Sequence, residues 1–305
     1  METPHAFLRR FAVKAVLWRR YLDWAVANVP FYLQPSMIFV WTIFFFFFAA
    51  PQRRSIMLNL RFVSPKSSTL LNFLRAFQTV QNFAWTIADA ANYKVNQTAF
   101  RYEIEGAEIL DQLGHARGAI VLTAHMGNYD LGAALFAQKF NREISMVRAP
   151  EPDVQSAQHM TESLQRTGEG AVKIAYSSDG ALLSFDLLNA LRQGEIVSIQ
   201  GDRIIPGVAM VDGEMFGQAV RVPVGPFTLA QVAQVAVYPL FIVRAGYRRY
   251  KIIVREPILV LRGARAREED ITPAVKKWCE VLQATIAQYG EQWFAFGDLF
   301  AGKET

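Results

Sequence analysis

A chain of 305 residues with 52% hydrophobic and only 19% charged residues is slightly richer in apolar groups than a soluble domain, which indicates a globular protein that also touches lipid. Its single cysteine, Cys279, excludes disulfides within the chain and a Cys-rich zinc site. The net charge of +5 is local: residues 1–62 hold eight basic and two acidic residues, leaving 24 basic and 25 acidic for the rest. A nucleic-acid binder would carry its basic stripe on the folded domain, whereas basic charge beside apolar surface suits anionic lipid headgroups.

Residues 1–60 read as a membrane-associating segment. No charged residue occurs from Trp24 to Gln52, and the densest part is Met37–Ala50, with five consecutive phenylalanines. As a helix that stretch reaches about 21 Å, short of the ~30 Å hydrocarbon core. Extension upstream meets Pro30 and Pro35, which break or bend a helix. Both flanks are basic, so the positive-inside rule puts both on the cytoplasmic side. A re-entrant or interfacial segment meets that condition, and a simple span does not. A buried core helix is the alternative.

Residues 61–305 read as one catalytic domain. Residues 66–98 have helical spacing. Alternation at Phe100–Ile104 predicts a strand, and Ala119–Ala124 predicts a strand buried on both faces. Helices are expected at Leu131–Phe140, Ser156–Arg166 and Leu182–Arg192, the last stopped by Gly194. Strands are expected at Ile144–Val147, Val172–Ala175, Ile196–Gln200, Val235–Val243 and Lys251–Val254, and a closing helix from Pro273 to about Tyr289. This alternation predicts an α/β fold with a mostly parallel central sheet flanked by helices.

Ligands of such sheets bind beyond the carboxyl ends of the strands. Two polar, tight-turned stretches lie there. In the first, His125 follows a buried strand, Gly127 permits close backbone approach, and Asn128 is a good N-cap for the next helix. Asp130 then falls in that helix's first turn, where its charge is favoured and from which it is expected to turn back to His125. A carboxylate on one ring nitrogen fixes the tautomer and frees the other nitrogen to deprotonate an alcohol. Of the four histidines, only His125 has an acid five positions on. A satisfied core histidine is the bland reading.

The second stretch is Gln200-Gly201-Asp202-Arg203. Its Asp–Arg pair reads either as a structural ion pair or as a grip on a phosphate or hydroxyl-bearing headgroup. Gly225, before a helix start, suits an anion near helical N–H groups. No cofactor or metal is called for. A metallophosphoesterase would need a histidine where Tyr129 stands in Gly127-Asn128-Tyr129-Asp130. No Gly-x-Ser-x-Gly elbow occurs either. A membrane-surface scaffold is the non-enzymatic reading.

These residues carry a resemblance. His125-x4-Asp130, Arg148, Arg166, the Gly201-Asp202-Arg203 turn, the block Phe216–Ala230 and Glu291-Gln292-Trp293 resemble, in order and spacing, the lysophospholipid acyltransferase superfamily in its branch of bacterial lipid A late acyltransferases. The resemblance runs from about residue 53 to 296. Three positions differ: Asp130 stands where lipid A members usually have Glu, Arg203 where many have Gln, and Gly290 where Pro is common. The resemblance implies transfer of a fatty acyl chain from an acyl carrier protein or coenzyme A thioester to a lipid hydroxyl, such as that of a lipid A precursor. Relatives of the branch acylate other glycolipids or aminolipids. It also implies His125 and Asp130 as the catalytic pair, and Arg148, Arg166, Asp202, Arg203 and Gly225 as substrate-binding residues. The partners implied are the thioester donor, a lipid acceptor and the cytoplasmic face of the inner membrane, with no nucleic acid.

Overall fold

Three prolines set the breaks in the N-terminal helices. The computed structural model describes residues 15–150, 158, 161–162, 170–177, 180–205, 207–260 and 268–300. Helix α1 (Ala15–Asn28) ends just before Val29-Pro30, as the residue ahead of a proline disfavours the helical conformation. Helices α2 (Gln34–Phe48) and α3 (Ala50–Val63) each carry a proline in the first turn, Pro35 and Pro51, where the missing N–H costs nothing. Pro35 therefore starts a helix rather than bending one. The α2–α3 pair bends by 91°, and no single described helix is long and apolar enough to cross a membrane.

Helix α4 (Thr69–Asn96) is opened by Ser68, whose hydroxyl accepts from Leu71 N, and is stopped by Gln97 in the left-handed region. It matches the helix expected over 66–98 and forms the floor on which α2 and α3 pack, through Phe46, Ile56, Leu60, Ala76 and Val80, while α1 is tied to it by Asp23–Lys94 and by Asn96 donating to the Val26 carbonyl. Asn59 ties α3 to the far end of the chain, donating to the carbonyls of Ala295 and Gly297.

The rest of the chain forms β1 (Arg101–Glu105), α5 (Ala107–His115), β2 (Ala119–Thr123), α6 (Tyr129–Phe140), β3 (Ile144–Arg148), β4 (Val172–Tyr176), α7 (Gly180–Arg192) and β5 (Ile196–Gln200). A hairpin of β6 (Met210–Met215) and β7 (Gln218–Pro223) follows, then α8 (Gly225–Ala233), β8 (Val237–Gly246), β9 (Arg249–Val254) and α9 (Glu268–Tyr289). Seven strands make one sheet in the order β1-β9-β8-β2-β5-β3-β4. Every neighbouring pair in it is parallel except β8–β9. The mixed α/β fold with a mostly parallel sheet is thus the one expected. All of β2 is buried, with Ile120 and Leu122 in the core on one face and Ala119 and Val121 in the core on the other.

Before residue 100, α1 and α3 were not expected as separate helices; beyond it, two elements escaped the sequence reading. Helix α5 is one, and the β6–β7 hairpin is the other; its two-residue turn is made by Phe216 and Gly217, both at positive φ. The closing helix begins at Glu268, ahead of the expected Pro273. The helix expected at Ser156–Arg166 lies mostly outside the described residues, as does Arg166.

Candidate active site

Strands β2 and β5 are parallel neighbours, with Thr123 opposite Gln200. Two residues beyond each lie His125 and Asp202, so register alone brings these two side chains to the same carboxyl edge of the sheet. The Gly201 N–H donates to the Thr123 carbonyl at 2.9 Å and fixes the spacing of the two chain exits. The Trp278 indole donates to the Gly201 carbonyl at 3.0 Å from beneath.

Asp202 is sealed from solvent. Its Oδ1 lies 2.7 Å from His125 Nδ1, and its Oδ2 accepts from the His125 backbone N–H at 3.0 Å and from Trp293 Nε1 at 3.0 Å. Burial alone would raise its pKa, but His125, Arg203 and the Trp293 N–H outweigh burial and hold it at about 2. An ionised Asp202 accepts on both oxygens, so the imidazole proton sits on Nδ1. Burial pushes the His125 pKa below its ordinary 6.5, against the pull of Asp202 and with help from Arg203 and Arg148. At neutral pH the ring is then neutral, and no described residue hydrogen-bonds Nε2. Its side chain keeps 16% of its exposure, so the site is reachable.

The backbone around His125 is equally fixed. The His125 carbonyl accepts from Phe294 N at 2.8 Å, Gly127 N donates to Gln292 O, and Asn128 N donates to Ile242 O. Gly127 has φ +54, and a Cβ there would sit 1.6 Å from the Ile242 carbonyl oxygen. Asn128 caps α6 as expected, its side chain accepting from Leu131 N. Its amide also donates to Thr86 O and Tyr250 OH. The Tyr250 hydroxyl in turn donates to buried Asp89 on α4 at 2.6 Å.

Asp130 does lie in the first turn of α6, but it does not reach His125. It meets Arg148, the last residue of β3, with Nη1 to Oδ1 at 2.5 Å. The expected His125–Asp130 contact is therefore replaced by His125–Asp202. The reason is register: β2 and β5 are adjacent, and that neighbour's loop outcompetes the helix turn for Nδ1. Nor do Asp202 and Arg203 pair as a simple surface bridge, since Arg203 Nη2 donates to the Phe294 carbonyl at 2.6 Å. Arg203 Nε is buried and has no hydrogen-bond partner. Gly225 heads α8, and no hydrogen bond or ion pair joins it to the His125–Asp202 pair among the described residues.

Two neighbours were missed by sequence reasoning. Tyr129 stacks edge-on against the His125 ring at 5.8 Å between centroids, and burial pushes its hydroxyl pKa up. Trp293 was legible only as part of a resembling block. That block, Glu291-Gln292-Trp293, has three separate attachments. Glu291 pairs with Arg75 on α4 at 3.2 Å. Gln292 clamps both backbone groups of Arg244 on β8, and Trp293 holds Asp202.

Residues 10–301 match the family of bacterial lipid A biosynthesis acyltransferases. The chain belongs to that family. It is an acyltransferase, and the match covers nearly the whole chain, further in both directions than the resemblance read from the sequence. No individually curated protein gives a significant match.

Proposed function

We propose that this acyltransferase moves a fatty acyl chain from an acyl carrier protein or coenzyme A thioester to a hydroxyl of a lipid A precursor. His125 acts as the general base. The reading rests on one observation above the others: an imidazole at the carboxyl edge of a parallel sheet, with Nδ1 held at 2.7 Å by a buried carboxylate and Nε2 without a hydrogen-bond partner among the described residues. Nε2 takes the proton of the acceptor hydroxyl as its oxygen attacks the thioester carbonyl. The resulting imidazolium is stabilised by Asp202. The carbonyl oxygen becomes an oxyanion, which then collapses with loss of the thiolate. His125 returns its proton to that sulfur, so no acyl-enzyme is needed. Cys279 supports this by exclusion as a nucleophile: it is buried, and burial pushes its thiol up to about 11.

In this reading Asp130 contributes through Arg148. The ion pair holds a guanidinium near enough to lower the pKa of His125. Arg148 and Arg203 supply positive charge for the oxyanion or for donor phosphates. The acceptor and donor place the work at the cytoplasmic face of the inner membrane, with the N-terminal helices in contact with lipid.

The direct test is His125→Ala in the purified protein, assayed with acyl carrier protein and coenzyme A thioesters. Transfer is expected to vanish while the circular dichroism spectrum and Tm stay unchanged. Near-normal turnover by a folded His125→Ala protein would reject the base. The lipid profile of cells lacking the protein names the acceptor, as the species that loses an acyl chain.

A further inference from the structure

Helix α2 has one side packed and one side bare, and both sides are apolar. Its packed side lies antiparallel along α4. Phe46 meets Phe73 and Phe77 at 5.0 and 5.3 Å, Phe39 meets Phe77, and Gln34 accepts from Asn92 at the far end. Its bare side carries Val40, Phe44, Phe47 and Phe48, each 58–69% exposed and spaced along one helical face. The first two turns of α4 add Leu70 and Leu74, 70% and 54% exposed, beside the end of α2 where Phe73 packs. A water-facing protein does not leave such a continuous apolar face uncovered.

Charge says what covers it. Residues 15–74 contain six basic residues and one acid, Asp23, and that acid is paired with Lys94. Exposed Arg20, Arg54, Arg61 and Lys66 flank the apolar face in the chain on both sides. An apolar face between exposed cations matches a leaflet of anionic phospholipid.

We infer that α2 lies in the plane of an anionic phospholipid leaflet, entering and leaving from the same side, with the Leu70–Leu74 turn of α4 inserted next to it. The inference rests on the membrane part of the proposed function and adds its geometry. Crossing is disfavoured by the partner helix. If α2 spanned the bilayer while packed on α4, it would carry Asn72, Asp89 and Asn92, together with the ion-paired Arg75 and Lys94, into hydrocarbon. The bend is built to be kept: Arg53 reaches back across it to donate to the carbonyls of Phe46 and Phe47, satisfying the bare end of α2.

The full chain is reconstituted on phosphatidylethanolamine–phosphatidylglycerol vesicles. The native thiol, buried at 1% exposure, does not compete for labelling. Single variants Arg20→Cys and Arg61→Cys are treated with a membrane-impermeant maleimide. Phe44→Cys and Leu70→Cys carry an environment-sensitive dye read against lipid-borne quenchers. Both flanks are expected to label fully from outside without detergent, and both dyes to be quenched by lipid. Replacing phosphatidylglycerol by phosphatidylcholine is expected to lower binding about fivefold or more, the effect of losing even one cation–leaflet attraction of ~1 kcal/mol. Protection of either flank until detergent is added means a span and overturns the inference, as does a Leu70 dye left in water or binding indifferent to lipid charge. The His125→Ala protein, assayed for binding alongside, separates the two readings: it is expected to lose transfer in detergent-dispersed substrate and to bind vesicles normally.

Discussion

Two aspartates near the site show how differently a carboxylate can be used. Asp202 is fully buried and takes three donors, one of them the imidazole. Asp130 keeps about a quarter of its side-chain exposure and is paired with Arg148. The first is surrounded on all sides, so its position is dictated by the sheet edge and by Trp293. The second sits where water reaches, in a partly exposed ion pair. The lesson is that orientation of the His125 ring comes from the buried carboxylate. The exposed one serves a cation.

That contrast breaks first at Asp202. Asp202→Asn puts an amide donor against Nδ1 and drives the imidazole proton to Nε2, the wrong nitrogen for a base. It is expected to lower kcat/KM by about 10²–10⁴-fold with little change in KM, measured by steady-state kinetics. A loss under tenfold contradicts the contrast. Asp130→Asn should cost less, about 10–100-fold, through a loosened Arg148. Its imidazole proton should stay on Nδ1, because Nδ1 keeps its partner.

Trp293→Phe removes one donor from a buried carboxylate while keeping most of the ring. It should lower stability by about 1–3 kcal/mol, read by denaturant melts, and the rate by less than about tenfold. Smallest is the pH effect within the wild type. The His125 pKa is depressed in the folded state, so its neutral form is favoured there. Its contribution to stability is complete above 6.5 and is lost as pH falls below that value, and kcat/KM falls on the same side. Asp202, held at about 2, stabilises above its ordinary 3.8 and loses that contribution as pH falls through about 2. A melting series in acid on wild type and Asp202→Asn should show that limb flattened in the variant.

Much of this was legible in the chain. The run Ala119–Ala124 reads as a doubly buried strand because every residue is apolar or small, and the strand found, Ala119–Thr123, is buried throughout. Gly127 and Asn128 read correctly because a positive φ and a helix cap are local demands that a sequence states in its own residues. Gln200–Arg203 was marked as a polar exit from a second buried strand. What the chain does not state is that β5 lies next to β2, since strand order is a long-range property of packing. Without that adjacency, the acid five residues from His125 was the natural partner, and the acid 77 residues away was not. Trp293 was hidden for the same reason, being 91 residues from the carboxylate it holds. The β6–β7 hairpin was missed because its turn puts Phe216 at positive φ, where the usual signals are Asn or Asp.

The central claim is that Asp202, and not Asp130, holds the base. The measurement closest to it is the pKa and tautomer of the His125 ring, followed by nitrogen-15 NMR in wild type, Asp202→Asn and Asp130→Asn. The account predicts a proton on Nδ1 in the wild type, a changed tautomer with a further lowered pKa in Asp202→Asn, and a retained Nδ1 proton in Asp130→Asn. A ring that keeps its tautomer without the Asp202 carboxylate, and loses it without that of Asp130, contradicts it.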